Sequence, residues 1–184
     1  MEQKLIIVGL GNPGEEYKNT YHNAGWLALE YLRSEFKKAG VIMKSGKAKT
    51  FDYCEFTDSA QKYVLIFPNT FMNLSGIAAK NALKFFNSDV DNLVVMHDDS
   101  DLVVGELRGA VGAGSAGHNG VSSIIDHLKT KDFYRIRIGI RNPKEINRKK
   151  AEDFVLNKIK AADLKKIYLT FAELKSKVKE KSTP

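Results

Sequence analysis

The residue types able to do hydrolytic chemistry fall at a few separated places: Asn12, the pair Tyr21-His22, Asn73, the run His97-Asp98-Asp99 and the pair His118-Asn119. An imidazole titrating near neutral pH is suited to act as a general base. A carboxylate on its other nitrogen fixes the tautomer and stabilises the imidazolium. Asparagine amides are neutral donors that can hold a carbonyl oxygen as charge builds on it. Ser75, Ser100 and Ser115 offer hydroxyls, but none lies in a G-x-S-x-G elbow. Cys54 falls in an expected strand with no adjacent base. The nucleophile expected from this set is therefore water.

A metal centre is the competing reading, since three of the histidines with Asp98 and Asp99 supply imidazole and carboxylate ligands. Against it, no H-x-x-x-H or H-E-x-x-H spacing occurs, and His97, beside Met96, is expected to face the core. His127 lies among polar residues of an expected helix and reads as surface. A lone loop histidine or asparagine is ordinarily a cap or a solvated side chain. What sets these groups apart is their shared placement, just after expected strand ends or in adjacent loops.

The positioning elements follow from periodicity. Leu5 to Val8 is a short β-branched run that reads as a strand buried on both faces. A helix is expected from about Asn23 to Lys38, with Trp26, Leu29, Leu32 and Phe36 at helical spacing and Gly40 as C-terminal cap. Lys44 to Lys49 reads as a basic loop, and Phe51–Phe56 and Tyr63–Phe67 read as strands too closely joined for a crossover, hence a hairpin. A helix over about Thr70–Phe86 and a strand Leu93–Met96 come next, the strand delivering His97, Asp98 and Asp99 at its end. The glycine-rich stretch Gly112–Gly120 is expected to be a loop opening a helix Val121–Leu128. Tyr134–Ile140 alternates basic and apolar residues, as a half-exposed strand does. A last helix, Ala162–Val178, carries an apolar stripe of Leu164, Ile167, Phe171, Leu174 and Val178, and Glu180–Pro184 reads as a flexible tail. The expected fold class is α/β, a single domain over residues 1–184 with a twisted mixed β-sheet and helices on both faces.

Gly9-Leu10-Gly11-Asn12-Pro13-Gly14 matches the G-x-G-x-x-G pattern of dinucleotide-binding oxidoreductases. That pattern needs a helix opening at once on the glycines. Here Glu15-Glu16 would face the phosphates, the helix starts only near Asn23, and no second strand ends in an acidic residue about twenty positions on. The better reading is a tight turn that leaves a central strand and sets the Asn12 amide at the sheet's C-terminal edge, where open α/β sheets bind ligands.

Composition bounds the partners. Twenty-nine basic residues against 22 acidic ones give a net charge of +7, which favours a polyanion such as nucleic acid. A 184-residue chain with 43% hydrophobic and 28% charged residues fits one globular domain with its own core. The single cysteine excludes an intrachain disulfide and fits a reducing compartment. With no signal-like segment and no apolar stretch long enough to cross a bilayer, a cytoplasmic location without membrane partners is the expectation.

Several segments together resemble the bacterial-type peptidyl-tRNA hydrolase family across nearly the whole chain. They are VGLGNPG (Val8–Gly14), YKNTYHNAG (Tyr17–Gly25), PNTFMNLSG (Pro68–Gly76), HDDSDL with the following glycine (His97–Leu102, Gly105), GSAGHNG (Gly114–Gly120) and FYRIRIGI (Phe133–Ile140). The resemblance implies a monomeric enzyme, with no cofactor and no metal, that cuts the ester joining a peptide to tRNA. His22 matches the family's catalytic base and Asp98 the carboxylate that orients it. The residues alone leave Asp98 and Asp99 interchangeable, because a one-residue shift at a strand end would exchange them. Asn12 and Asn73 match amides holding the peptide and scissile carbonyl, Asn119 a further substrate contact, and Tyr17 and Phe71 residues where the tRNA end and peptide meet. Arg108, Arg135, Arg137, Arg141 and the run Arg148-Lys149-Lys150 are the candidates for tracking tRNA phosphates. Three departures stand out: Tyr21 where the family usually has arginine, Ala113 and Ala116 at two usual glycines, and Ala110 where a second basic residue often follows. A non-catalytic RNA-binding relative of the same fold, of the intron-splicing-factor type, is the alternative.

Overall fold

In the structure, a computed structural model, residues 4–144 and 150–182 are described. The run Leu5–Val8 is buried throughout, which places β1 (Lys4–Gly9) inside a seven-stranded sheet. The other strands are β2 (Met43–Lys47), β3 (Phe51–Asp58), β4 (Gln61–Pro68), β5 (Leu93–Val103), β6 (Leu107–Ala110) and β7 (Tyr134–Arg141), in the order β2-β3-β4-β1-β5-β7-β6. Strand β1 runs parallel to β4 and β5, and β5 parallel to β7. The pairs β2/β3, β3/β4 and β6/β7 are antiparallel. The expected mixed sheet and hairpin are both present. The hairpin turns at Ser59 and Ala60 with φ of 49° and 69°, the left-handed pair that matches strand twist.

The two faces of β1 go to two cores. Leu5 and Ile7 meet α1 (Ala24–Lys38) together with Ile167, Phe171, Leu174 and Val178 of the C-terminal helices α4 (Ala161–Thr170) and α5 (Leu174–Ser182) and the turn between them. Ile6 and Val8 meet Ala79, Ala82 and Leu83 of α2 (Ser75–Phe85) and Val121 and Ile124 of α3 (Asn119–Leu128). Each such fully buried aliphatic side chain contributes roughly 1.5–3 kcal/mol, so both layers are firmly attached.

Six features differ from expectation. Lys44–Lys47 is edge strand, not loop; lysines are common on strands whose outer edge must not pair further. Strand β6 was not foreseen, because Leu107-Arg108-Gly109-Ala110 has no apolar alternation and pairs only with β7. Strand β5 continues through His97, Asp98 and Asp99 to Val103, because β7 stays paired with it past the point where β1 leaves. The helix expected from Thr70 begins at Ser75, after a 3-10 turn over Met72–Leu74. The single last helix is two helices broken by a 3-10 turn at Phe171–Glu173, with the apolar stripe continuing across the break. Part of the expected flexible tail, Glu180–Ser182, is helical instead, and Glu180 accepts hydrogen bonds from Tyr134 and Lys177. Residues 183 and 184 lie outside the described residues. Among the described residues, no helix is long and apolar enough to cross a membrane.

Candidate active site

Strand β1 ends at Gly9, opposite Met96, and Leu10 N–H donates to the Met96 carbonyl as the chain turns away. From His97 onward β5 has a neighbour on the β7 side only. The gap opens at the C-terminal ends of β1, β4 and β5, and β1 leads to a helix on one face while β4 leads to a helix on the other. Crevices of this kind are where open α/β sheets hold ligands. A cavity of about 470 Å³ lies there, lined by Asn12, His22, Phe71, Asn73, Asp98 and Asn119 among others.

The glycines of the first motif serve close packing. A Cβ on Gly9 would meet the Gly25 carbonyl at 2.5 Å, and one on Gly11 would meet the Trp26 ring at 2.7 Å. A Cβ on Gly25 would collide with the Met96 carbonyl. The start of α1 thus rests directly on the end of β1, which seats the preceding 3-10 turn, Tyr21–Asn23, beside β5. This turn carries His22, which is 8% exposed.

His22 Nδ1 lies 2.9 Å and 3.1 Å from the two carboxylate oxygens of Asp98. His118 Nε2 lies 2.9 Å from Asp98 Oδ1. His118 Nδ1 accepts from the backbone amides of Gly120 and Val121 at 3.1 and 3.3 Å, capping α3. Since that nitrogen must be bare, the proton sits on Nε2 and is donated to Asp98. Burial pushes the Asp98 carboxyl up, but His118 and His22 outweigh it and hold it far below the usual range. As an anion Asp98 accepts from His22 Nδ1–H, leaving His22 Nε2 as the basic nitrogen. Burial pushes the His22 imidazole down, while the charge and hydrogen bond of Asp98 push it up by more, so its pKa is raised.

His22, Asp98 and His118 also bring three ligating atoms within 4.8 Å of one another, a separation compatible with a metal. The α3 cap argues for a hydrogen-bond relay instead. A cation on His118 Nε2 would force the proton to Nδ1, against two amide N–H groups already pointing at it. His97 is buried beside Met96 as expected, yet it also lines the cavity. Its Nδ1–H donates to the Asp98 carbonyl at 2.7 Å, and burial with the nearby His118 drives its pKa down to about 3. It is neutral at physiological pH.

Asn12 is oriented without ambiguity. Its Oδ1 accepts from the Met72 amide at 2.7 Å, so its NH₂ is the end left for the cavity. Asn23 pins its backbone twice: Asn12 N–H donates to Asn23 Oδ1 at 2.9 Å, and Asn23 Nδ2 donates to the Asn12 carbonyl at 3.0 Å. Asn73 and Asn119 are exposed side chains on the cavity rim. Phe71 lines it too, 53% exposed, with Tyr17 edge-on at a centroid distance of 6.2 Å; Tyr17 flanks the cavity through Phe71.

The aspartate ambiguity resolves by partner: Asp99 faces β7, accepting from Arg137 Nε at 2.6 Å. Arg137 lies opposite Arg108 across the β6/β7 pair, and Arg108 donates to Glu106 at 2.9 Å on the exposed side. Arg141 is half-buried at the end of β7. Arg135 departs from expectation: it is 2% exposed and donates to the carbonyls of Gly114 and Ala113 at 2.9 and 2.5 Å. It anchors the glycine-rich loop and is not available to phosphates. In that loop Ala116 holds φ of 50°, a conformation glycine adopts with less strain. Arg148 and Lys149 lie outside the described residues. His127 is half-buried rather than on the surface, its Nδ1–H donating to the Ser123 carbonyl where α3 meets α2 near Gly76.

Sequence reasoning gave no role to Asn23, to His118 as a partner of Asp98, or to residues 151–156 as a cavity wall. Asn23 and His118 each adjoin a residue that was singled out. The wall carries no motif.

A bare imidazole nitrogen, a buried carboxylate behind it and an oriented amide at a cavity are groups able to activate water; Ser100 and Ser115 also line the cavity, but among the described residues neither hydroxyl is hydrogen-bonded to His22. The sequence profile described as peptidyl-tRNA hydrolase matches residues 6–183. The chain is 40% identical over 161 residues to a peptidyl-tRNA hydrolase of Mycoplasma capricolum, covering 86% of this chain and 82% of the relative. It is 40% identical over 159 residues to one from Bacillus cereus, with the same coverage of 86% and 82%. A crystal structure of peptidyl-tRNA hydrolase from Acinetobacter baumannii superposes with a TM-score of 0.82 at 32% identity, over 97% of this chain and 88% of that one. The chain belongs to the peptidyl-tRNA hydrolase family. A futalosine hydrolase of Helicobacter pylori, at 11% identity and a TM-score of 0.52, shares the fold alone.

Proposed function

We propose that this protein hydrolyses the ester joining a peptide, or an N-blocked amino acid, to tRNA, with His22 as the general base. His22 Nε2 takes a proton from water as the water oxygen bonds to the ester carbonyl carbon. The carbonyl oxygen gains charge and is held by the amide of Asn12 and by Asn73. The intermediate then collapses, the bond to the ribose oxygen breaks, and the proton on His22 passes to that oxygen. Peptide acid and free tRNA leave. Asp98 keeps His22 in the Nδ1–H tautomer and stabilises the imidazolium. Asn119 is a further contact to the peptide, and Phe71 with Tyr17 forms an apolar platform at the cavity mouth. A general base contributes roughly 10²–10⁴ in rate, and an amide at the oxyanion roughly 10²–10³. An activated ester needs little beyond these and positioning.

The observation that carries the reading is the buried His22–Asp98 pair facing one cavity with the Asn12 amide, whose orientation Met72 sets. Arg108, Arg137 and Arg141 are the proposed phosphate contacts, reading backbone and shape rather than sequence. The protein works as a monomer in the cytoplasm. Incubation with N-acetyl-aminoacyl-tRNA should release deacylated tRNA, with no added metal and no loss on chelation. His22→Ala should bind tRNA and not cleave. A wild-type protein that binds without turnover would mark it as the non-catalytic RNA-binding relative.

A further inference from the structure

Tyr21, where the resemblance leads one to expect arginine, is not among the residues lining the cavity. Its ring is 6% exposed and packs edge-on against Phe154 at a centroid distance of 5.7 Å. Its hydroxyl donates to Asp163 Oδ2 at 2.6 Å, in the first turn of α4. The chain between Phe154 and Asp163 is bound to the turn that carries the base. His22 N–H donates to the Val155 carbonyl at 2.8 Å, Tyr21 N–H to the Asn157 carbonyl at 3.2 Å, and Ile159 N–H to the Asn19 carbonyl at 2.8 Å. Lys158 Nζ donates to the carbonyls of Glu16 and Lys18 at 2.7 and 2.6 Å. Val155 and Leu156 line the cavity beside His22, and Leu156 is 53% exposed there. One segment is thus both backrest to the base and wall of the site.

These bonds are of two kinds. The backbone bonds join a 3-10 turn to a short extended stretch through an isolated antiparallel bridge, Thr20 to Lys158, which no further strand of the sheet extends. The Tyr21 side chain reaches past them to α4, whose Ile167 is fully buried in the core. The Tyr21–Asp163 bond therefore connects the base's turn to a rigid element. Burial and the adjacent carboxylate push the Tyr21 phenol up to about 12, so it stays a donor across the working range of pH.

We propose that Tyr21 is a positioning residue: its hydroxyl, held by Asp163, latches residues 154–159 onto the turn bearing His22 and thereby sets the place of the His22 ring and of the Val155–Leu156 wall. This rests on the reading of His22 as the base. If the latch needs only a donor facing Asp163, an arginine at position 21 serves it too, since a guanidinium donates to a carboxylate.

The test pairs hydrogen exchange with steady-state kinetics on the full chain. Tyr21→Phe keeps the ring on Phe154 and removes only the donor. Amides of residues 151–160 and 19–23 should exchange faster while those of β1, β4 and β5 are unchanged. Turnover of N-acetyl-aminoacyl-tRNA should fall about tenfold in kcat, as a small misplacement of a reacting group does. The acidic limb of its pH profile should move to lower pH as the hold of Asp98 on His22 loosens. Binding of deacylated tRNA should not change. Tyr21→Arg should recover activity to within about twofold, and Tyr21→Phe with Asp163→Asn should be no worse than Tyr21→Phe alone, as for one shared interaction. The latch is overturned if Tyr21→Phe matches wild type in exchange and kinetics. It is equally overturned if exchange rises throughout the sheet and Tyr21→Arg restores nothing, for then the residue only holds the fold. A wild type that exchanges as expected but does not turn over the ester would refute the function and leave the latch standing.

Discussion

The cavity rim and the β6/β7 face are both rich in polar and charged groups, and they are built in opposite ways. At the rim, Asn73 and Asn119 are exposed, but the groups behind them are buried and held: Asp98 is 3% exposed and shared by two histidines, and Asn12 is 6% exposed and held at three points by Asn23 and Met72. On the β6/β7 face Arg108 sits opposite Arg137 across a strand pair, a like-charge arrangement that is mildly unfavourable by itself. Each of the two arginines is tempered by its own carboxylate, Glu106 or Asp99. The rim is organised before any ligand arrives, as reaction chemistry requires. The arginine face spends part of its charge on self-pairs that an incoming polyanion must compete with. Loss of a rim group should therefore act on turnover, and loss of a face group on binding and its salt dependence.

The largest effect should come from His22→Ala, with kcat lowered by roughly 10²–10⁴ and tRNA affinity intact. Equal losses in affinity and rate would dissolve the distinction between the regions. Asn12→Asp keeps an acceptor for the Met72 amide but removes the donor. It should lower kcat by roughly 10²–10³ with little change in Tm, measured by single-turnover assay and calorimetry. The pH profile sharpens the role of Asp98. The base must be neutral to act, so activity should fall as pH drops through the raised His22 pKa. Asp98→Asn removes both upward influences and leaves burial, so that limb should move to lower pH while kcat drops; an unmoved limb would detach Asp98 from His22. Arg137→Ala should raise KM several-fold, leave kcat nearly unchanged, and reduce the log–log salt slope of tRNA binding by about 0.7–0.9, the contribution of one phosphate contact. The smallest effect concerns stability. His97 stays neutral in the fold down to about pH 3 but would protonate in the unfolded chain, so stability is lost as pH falls below the ordinary histidine range. That loss is about 2 kcal/mol at pH 5 for one group of ordinary unfolded pKa. Urea denaturation of wild type and His97→Gln at pH 7 and pH 5 should show the slope shrinking in the variant.

The contrast also explains what could be read from the sequence. Apolar periodicity made the sheet's middle legible, because β1, β4 and the start of β5 are dictated by burial. The edges were not, because β2 and β6 owe their pairing to a neighbour rather than to their own pattern. The gathering of His22, Asp98, Asn12, Asn73 and Asn119 around one cavity was legible because strand ends share a rim. Direction was harder. Whether Asp98 or Asp99 faces His22 depends on the strand continuing in register with β7 through Asp99↔Gly139. Arg135 looked like a surface cation by alternation, yet its partners are backbone carbonyls of a loop more than twenty residues away. The wall at Ala151, Glu152, Val155 and Leu156 had no signal, since these residues form no motif and apolar residues that line a cavity look like any others.

One consequence follows from the carboxylate that serves two rings. Asp98 takes its hydrogen bond from Nδ1 of His22 and from Nε2 of His118, so the two imidazoles, 4.8 Å apart at their centroids, are opposite tautomers. Nitrogen-15 spectra taken at a pH where both rings are neutral would therefore contain a pyrrole-like δ nitrogen from His22 and a pyrrole-like ε nitrogen from His118. The pyridine-like partner signals would differ as well. The signal from His118 would be insensitive to ligands because amides already occupy it. The signal from His22 would move when an ester analogue enters, giving a spectroscopic label for the working nitrogen.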